Sequence, residues 1–338
     1  MIKKHFHLSL LPYNTFGIDV LAEAFVEYTS VEDLKCLLAD TALPTPFLHI
    51  GGGSNLLFIS DFKGTVFHSA IKGIKIVSET EKEVFVRVGA GEVWDDFVAF
   101  AVDNDWYGAE NLSLVPGEVG ASAVQNIGAY GVEAKDLIAC VETVEVESGS
   151  ERSFSNDECH FSYRNSNFKG ELKGKYVVTY VTYKLSKRAC FNLEYGNICA
   201  ELEGQNINLS AIRQAIIRIR QAKLPDPKEQ GNAGSFFMNP VISRRQYEEL
   251  RGKFQDIPHY DVDEKYVKVP AAWMIDRCGW KGYTTGSVGV HDKQALVLVN
   301  KGGATGTEVV RLAHAIQQSV FERFGVSIYP EVNFIGQE

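Results

Sequence analysis

The stretch FLHIGGGSNLLF, residues 47–58, decides how the chain can fold. Phe47, Leu48, His49 and Ile50 have strand character and run straight into Gly51, Gly52 and Gly53, with Ser54 and Asn55 next. Without side chains, consecutive backbone N–H groups can curl around an anion such as a pyrophosphate, and Ser54 and Asn55 can add hydrogen bonds. An ordinary tight turn uses the same glycines, so both readings stand on this stretch alone. The spacing excludes more than it proves. Leu56 occupies the place of the third glycine of Gly-x-Gly-x-x-Gly, and no Gly-x-x-x-x-Gly-Lys loop occurs in the 338 residues. A Rossmann dinucleotide site and a P-loop NTPase are both disfavoured.

Outward from the triplet, short strands and helices alternate. Residues 84–88 read as a strand leading into Gly89 and Gly91, and residues 94–102 as a helix. Residues 140–146 and 176–185 alternate apolar and polar side chains, the pattern of half-buried strands. Helical period returns at 210–223, where Ile212, Ala215, Ile216 and Ile219 share a face. Pro225 and Pro227 stop it, so residues 224–234 read as a boundary loop, and a domain boundary is expected near 205–230. Beyond come a short helix (243–251), a strand (294–299) and a longer helix from Thr307. Its stripe of Val309, Val310, Ala313, Ile316, Val320 and Phe324 ends before Gly325. No repeat of 20–50 residues is visible. The class is mixed α and β, at a length that suggests about two domains.

Composition narrows the function classes. Apolar residues make up 45% and charged residues 23%, the balance of a folded globular chain. Lys and Arg number 34 against 43 Asp and Glu, a formal net charge of −9, which lacks the basic footprint of a nucleic-acid binder. Apolar runs such as 295–299 are only a few residues long, which predicts neither a membrane span nor a secretion signal. The six cysteines include no Cys-x-x-Cys pair, which argues against zinc ribbons and thioredoxin-like sites; reduced thiols are expected. The eight histidines show no metal-ligand spacing, no metal is expected, and His5 and His7 are expected in a disordered terminus.

Four further segments carry possible chemistry. Residues 116–131 (PGEVGASAVQNIGAYG) hold Pro116, Gly117, Ser122, Gln125, Asn126, Ile127 and Gly128, lack a regular period, and include one charged side chain, Glu118. That suits a backbone-lined cleft for a planar polar ligand, or an internal loop packed on the core. Tyr163 and Arg164 open the run YRNSNFK, and Ser235 sits in GNAGSFFMNP at 231–240, which is not a Gly-x-Ser-x-Gly elbow. Glu331 is a lone carboxylate in a β-like run near the C-terminus. Each of these, alone, is also compatible with a structural role.

In order and spacing, the segments together resemble the UDP-N-acetylenolpyruvoylglucosamine reductases, flavoenzymes of bacterial peptidoglycan synthesis. The likeness runs from Asn14-Thr15-Phe16-Gly17 to Pro330-Glu331-Val332 and includes GGGSNLLF, residues 116–131, YRNSNFK, KLPDPK at 223–228 and GNAGSFFMNP. It implies an α+β fold: an FAD-binding part of the vanillyl-alcohol oxidase and para-cresol methylhydroxylase type in two lobes, plus a C-terminal α/β substrate domain. The expected limits are 15–190 for the FAD-binding part (lobes dividing near 68), 191–224 for a linking segment with a tyrosine loop and helix, 225–325 for the substrate domain, and 326–338 for a terminal strand carrying the glutamate.

The resemblance also implies residue roles. Gly51 to Asn55, with Pro116, Gly117, Ser122, Gln125, Asn126, Ile127 and Gly128, would contact a non-covalent FAD. Arg164, Ser235 and Glu331 match the catalytic set, with Ser235 as proton donor. Tyr195, in Leu193-Glu194-Tyr195-Gly196, matches the tyrosine loop of the type I subclass, and Tyr163, Lys223, Asn239 and Gln294 match substrate-contacting positions. Met238 departs from the lysine of some relatives and leaves nearby nucleotide contacts open. The implied reaction reduces an enolpyruvyl ether with NADPH as electron donor, in the bacterial cytoplasm, with no membrane, nucleic-acid or obligate protein partner. The alternatives are another flavin oxidase of this fold and a non-catalytic flavin- or nucleotide-binding module.

Overall fold

The computed structural model describes residues 2–336. Two compact units divide the chain. The first takes the residues up to Leu8, then Leu21–Gly53 and Phe62–Ala222; the second takes Ser9–Val20, Ser54–Asp61 and the residues from Lys223 on. This differs from the expected limits in two ways. The segment 191–222 belongs with the first unit instead of standing between domains, and two early pieces, 9–20 and 54–61, belong to the second.

The first unit holds two sheets. In one, Lys3–Ser9, Leu21–Tyr28, Phe62–Ser69 and Phe47–Ile50 lie side by side in that order, the last three in parallel register. In the other, Glu151–Ser155, Ile138–Glu145, Tyr176–Ser186, Glu83–Gly89 and Ile74–Glu79 form an antiparallel ladder. Alternation puts Val84, Val86 and Val88 inside, where they meet Trp94, Phe97, Ala101 and Tyr183. The Trp94 and Phe97 rings lie 5.6 and 4.7 Å from that of Tyr183. Each such burial contributes about 1.5–3 kcal/mol. The helix Leu209–Lys223 lays Ile212, Ala215, Ile216 and Ile219 inward, as its spacing predicts.

Three local expectations are corrected. The N-terminal histidines are not in a disordered terminus: Lys3–Ser9 is a strand, fastened by Lys3 to Glu27 and by Lys4 to Asp40 at 2.5 Å each. The aperiodic block at 116–131 contains a helix, Val119–Val124. Six residues cannot hold a helix by propensity; tertiary bonds such as Gly120 N–H to the Ala90 carbonyl (2.8 Å) hold it. The strand expected at 294–299 is confined to Leu298–Asn300, because Val297 N–H turns back to the Gln294 carbonyl at 3.0 Å.

The second unit is built on short strands and one long helix. Gly231–Asn232, Leu298–Asn300, Val288–Val290 and Thr284–Thr285 form one sheet, and Val241–Ser243, Tyr266–Lys268 and Tyr260–Asp261 another. Asn333–Ile335 pairs in parallel with Leu56–Phe58 from the early segment. The helix Gly306–Phe324 starts with a reciprocal cap between Thr305 and Glu308 and stops at Gly325, whose φ of 64° suits glycine. Gly306 must be glycine, since a Cβ there would lie 1.9 Å from the Phe58 carbonyl oxygen. Among the described residues no helix is long and apolar enough to cross a membrane.

Candidate active site

The two glycine-rich segments singled out separately in the sequence meet in the first unit. A Cβ at Gly52 would lie 3.5 Å from the Gly117 Cα, and one at Gly51 would lie 3.2 Å from Glu118 Oε2 and 3.5 Å from the Ala121 side chain. Gly53 adopts φ 62°, so the strand Phe47–Ile50 ends in a bare backbone bend facing the start of the helix Val119–Val124. A cradle whose walls a Cβ would fill fits the pyrophosphate of FAD, which needs close main-chain approach. Ser54 and Asn55 fall in the other unit, where the Asn55 amide donates to the Glu331 carbonyl at 3.2 Å.

The remaining residues of the 116–131 block divide by what their side chains touch. Pro116 is exposed at the start of the block, and Gln125 ends the helix half-buried. Ser122 is buried, and its hydroxyl donates to the Val119 carbonyl (2.7 Å) and lies 2.6 Å from the Tyr183 hydroxyl. Its hydroxyl is therefore bound within the core. Asn126 is buried and organises three segments: Nδ2 donates to Glu133 (3.0 Å) and the Ser162 carbonyl (2.8 Å), and Oδ1 accepts from Lys135 N–H (2.9 Å). Ile127 is buried, and Gly128 starts a short strand beside Val132–Glu133.

Asn126 thereby ties this block to the loop that carries Arg164. Ser162 and Asn165 exchange two backbone hydrogen bonds at 3.0 and 3.1 Å, and Arg164 between them adopts φ 56°, a left-handed conformation that costs an arginine about 1–3 kcal/mol. Its guanidinium carbon stands 5.6 Å from the Tyr163 ring centre, and its Nη1 lies 3.0 Å from where a Cβ of Gly128 would be. Arg220 on the helix Leu209–Lys223 also bears on this place. Burial holds its guanidinium below the ordinary arginine range, against the Tyr130 hydroxyl bond and Asp95, while Arg164 adds like-charge repulsion. Its Nε has no partner among the described residues. Sequence reading missed Arg220, although a signal existed: it continues the Ile212, Ile216 face at helical spacing, a charge on the buried stripe.

The tyrosine loop closes the same end of the unit. Asn111, buried, donates to the carbonyls of Tyr130 and Asn192 at 2.8 Å each, and Asn192 donates to the Gly131 carbonyl at 3.2 Å. The Tyr195 Cβ lies 3.4 Å from where one would stand on Gly131, and its ring is 43% exposed.

In the second unit, Ser235 and Glu331 are brought together by a short antiparallel pairing. Phe236 N–H donates to the Leu296 carbonyl (2.7 Å), Glu331 N–H to the Phe236 carbonyl (2.8 Å) and Met238 N–H to the Tyr329 carbonyl (2.9 Å). Thr15 and Asn232 exchange bonds on the flank, at 2.6 and 2.9 Å, and a Cβ at Gly231 would strike the Phe16 carbonyl. The NTFG and GNAGS segments are thus one structure. Asn239 Oδ1 accepts from Ala271 N–H (2.9 Å) at the start of the helix Ala271–Arg277. Gln294 is half-buried in the turn before Leu298, and Lys223 is exposed at the end of its helix. Among the described residues no His, Cys, Asp and Glu group could hold a metal ion.

Comparisons with known proteins identify two family domains. Residues 226–335 match the model of the UDP-N-acetylenolpyruvoylglucosamine reductase C-terminal domain, and residues 22–155 match an FAD-binding domain. The chain is 56% identical to the UDP-N-acetylenolpyruvoylglucosamine reductase of Bacteroides fragilis, over 97% of this chain and 98% of that one. The chain belongs to the UDP-N-acetylenolpyruvoylglucosamine reductase family. The reductase of Flavobacterium johnsoniae is 46% identical over the same shares of the two chains. A reductase structure from Thermus caldophilus superposes with a TM-score of 0.70 at 21% identity, covering 99% of each chain. The α+β class, an FAD-binding part and a separate C-terminal substrate domain therefore hold for this reductase family member, and the cradle around Gly52 and Gly117 lies in the first unit.

Proposed function

We propose that the protein reduces UDP-N-acetylglucosamine enolpyruvate to UDP-N-acetylmuramate, with NADPH as electron donor, in the cytoplasm. Membership of the reductase family supports the reaction, and the backbone bond that fastens Glu331 to Phe236, next to Ser235, supports carrying the reading to particular atoms. Bound FAD would supply the two-electron relay between NADPH and the enolpyruvyl methylene carbon. Gly51, Gly52, Gly53 and Gly117 would hold its pyrophosphate through main-chain N–H groups, and Ser54, Asn55, Pro116, Ser122, Gln125, Asn126, Ile127 and Gly128 would be its further contacts.

The side chains manage charge and the proton. Addition of hydride to the methylene carbon pushes negative charge onto the neighbouring carbon and its carboxylate. Arg164 faces that carboxylate with a planar two-donor fork, and its strained backbone fixes the direction of the fork. Ser235 Oγ donates the proton to the carbanionic carbon, a step open to a weak acid because the acceptor is strongly basic. Glu331 binds the same carboxyl group, with one proton shared so that two bare carboxylates do not oppose each other. Tyr163, Tyr195, Lys223, Asn239 and Gln294 hold the sugar nucleotide.

The deciding experiment is anaerobic. The flavin band should bleach on one equivalent of NADPH and return when the enol ether is added. Bleaching without return would refute the substrate and favour a different flavin oxidoreductase.

A further inference from the structure

We infer that His68 is a positioning residue for the cofactor cradle: its imidazolium, held between Glu27 and Glu118, neutralises the carboxylate that stands against Gly51. This rests on the reading that the loops at Gly51–Gly53 and Gly117 hold FAD. That reading raises a difficulty the structure resolves. The cradle must accept a pyrophosphate, yet the charged side chain of the 116–131 block is an acid, with Glu118 Oε2 3.2 Å from where a Cβ of Gly51 would stand. A carboxylate there opposes an incoming anion unless something cancels it.

His68 is placed to do so. Its Nε2 lies 2.9 Å from Glu118 Oε1 and its Nδ1 lies 3.3 Å from Glu27 Oε2. A neutral imidazole carries one N–H and would turn a lone pair toward one of the two carboxylates; only the doubly protonated ring satisfies both. Sheet register fixes the ring in place. His68 stands opposite Ile50, the residue before Gly51, on one side and opposite Glu27 on the other. Its side chain is 16% exposed and stacks on Phe25 at 6.2 Å.

The groups that face it are Glu27 from the strand Leu21–Tyr28 and Glu118 from the loop ahead of the helix Val119–Val124. Lys3 backs Glu27 at 2.5 Å, and the nearby Tyr28 hydroxyl is pushed well up by burial and stays neutral. Burial works against the charge on His68, but the bonds and charges of Glu118 and Glu27 outweigh it and raise its pKa. The neutralised state therefore holds to a higher pH than for an ordinary histidine and is lost as pH rises past that raised value.

The test measures FAD release from the full-length holoenzyme on dilution, by the fluorescence of the freed flavin, between about pH 6 and 9, the range in which histidines titrate. Wild-type affinity should fall as pH rises. His68→Gln should weaken binding by about tenfold, the worth of one pKa unit of interaction, and flatten the pH dependence. His68→Gln with Glu118→Gln should recover most of the loss, because no carboxylate then needs cancelling. Wild-type affinity in His68→Gln, or a double variant as weak as the single, would overturn the proposal. Should His68→Gln fail to fold, Glu118→Gln alone carries the test: it should flatten the wild-type pH profile, and an unchanged profile would overturn the proposal. Gly52→Val separates the underlying reading, since a branched side chain there should abolish FAD binding. Normal binding in Gly52→Val would remove the cradle itself, whereas its loss alongside a normal His68→Gln would remove only the role of His68.

Discussion

Glu331 donates its main-chain N–H to the carbonyl of Phe236 at 2.8 Å, so the glutamate is fastened beside the residue that follows Ser235. A hydroxyl and a carboxylate from distant parts of the chain thus lie on two segments joined by main-chain bonds around the Phe237–Pro330 bridge, independent of their own side chains. Substituting either side chain should leave the other in place.

This makes Ser235→Ala a clean probe. Flavin reduction by NADPH should proceed nearly as in wild type, while reoxidation by the enol ether should slow by at least about a hundredfold, the usual contribution of a positioned proton donor. Stopped-flow absorbance reads the two half-reactions separately. Equal losses in both would remove the proton-donor role.

Arg164→Lys should cost about a hundredfold in reoxidation by substrate, since an ammonium cannot copy a planar fork. Turnover within threefold of wild type would place the critical charge elsewhere, with the buried guanidinium of Arg220 the first residue to examine.

Asn126→Ala addresses stability. It leaves the Lys135 N–H without its acceptor, a loss of roughly 1–3 kcal/mol, and takes from the Ser162 carbonyl one of two donors, the Asn165 N–H remaining. The loop that presents Arg164 should loosen with it, so a lower melting temperature accompanied by weaker substrate binding is expected. A lower melting temperature with unchanged KM would separate the scaffold from the site.

Stability should also respond to pH on both sides. Glu27 is held below its ordinary value, first by Lys3, against burial and with help from His68. Its contribution is present above the unfolded carboxylate value and is lost as pH falls through the lowered one. His68 acts in the opposite sense: its raised value gives stability that is full in mild acid and fades as pH rises through it. Melting temperature against pH should therefore decline on the alkaline side in wild type and lose that limb in His68→Gln.

The sequence was legible where local chemistry decides structure. The helix Leu209–Lys223 announces itself through Ile212, Ala215, Ile216 and Ile219, and Gly325 marks a helix end with no help from tertiary structure. The glycine triplet could be read as an anion cradle or a turn, and its approach to Gly117 is invisible in the local sequence. The helix Val119–Val124 was illegible because its six residues owe their form to bonds with Glu92 and Ala90. The role of Asn126, the burial of Ser122 and the charge on Arg220's helix face are likewise set by distant neighbours. The resemblance named Ser235 and Glu331, but no pattern in the residues predicts the Phe237–Pro330 bridge that joins their segments, and the terminal strand starts at Asn333, past the glutamate.

The pairing of Leu56–Phe58 with Asn333–Ile335 has a consequence for how the protein can be made. Asn333 donates to the Asn55 carbonyl across 278 positions, and Gly231 packs on Phe16. During synthesis the early pieces 9–20 and 54–61 must wait, partnerless, until nearly the whole chain has left the ribosome. Closing so long a loop is slow, and meanwhile those apolar segments stand open to chaperones and to proteases. For the same reason an excised fragment of residues 226–335, although it spans a recognised family domain, lacks two of its own building pieces and should not fold unless they are supplied in trans.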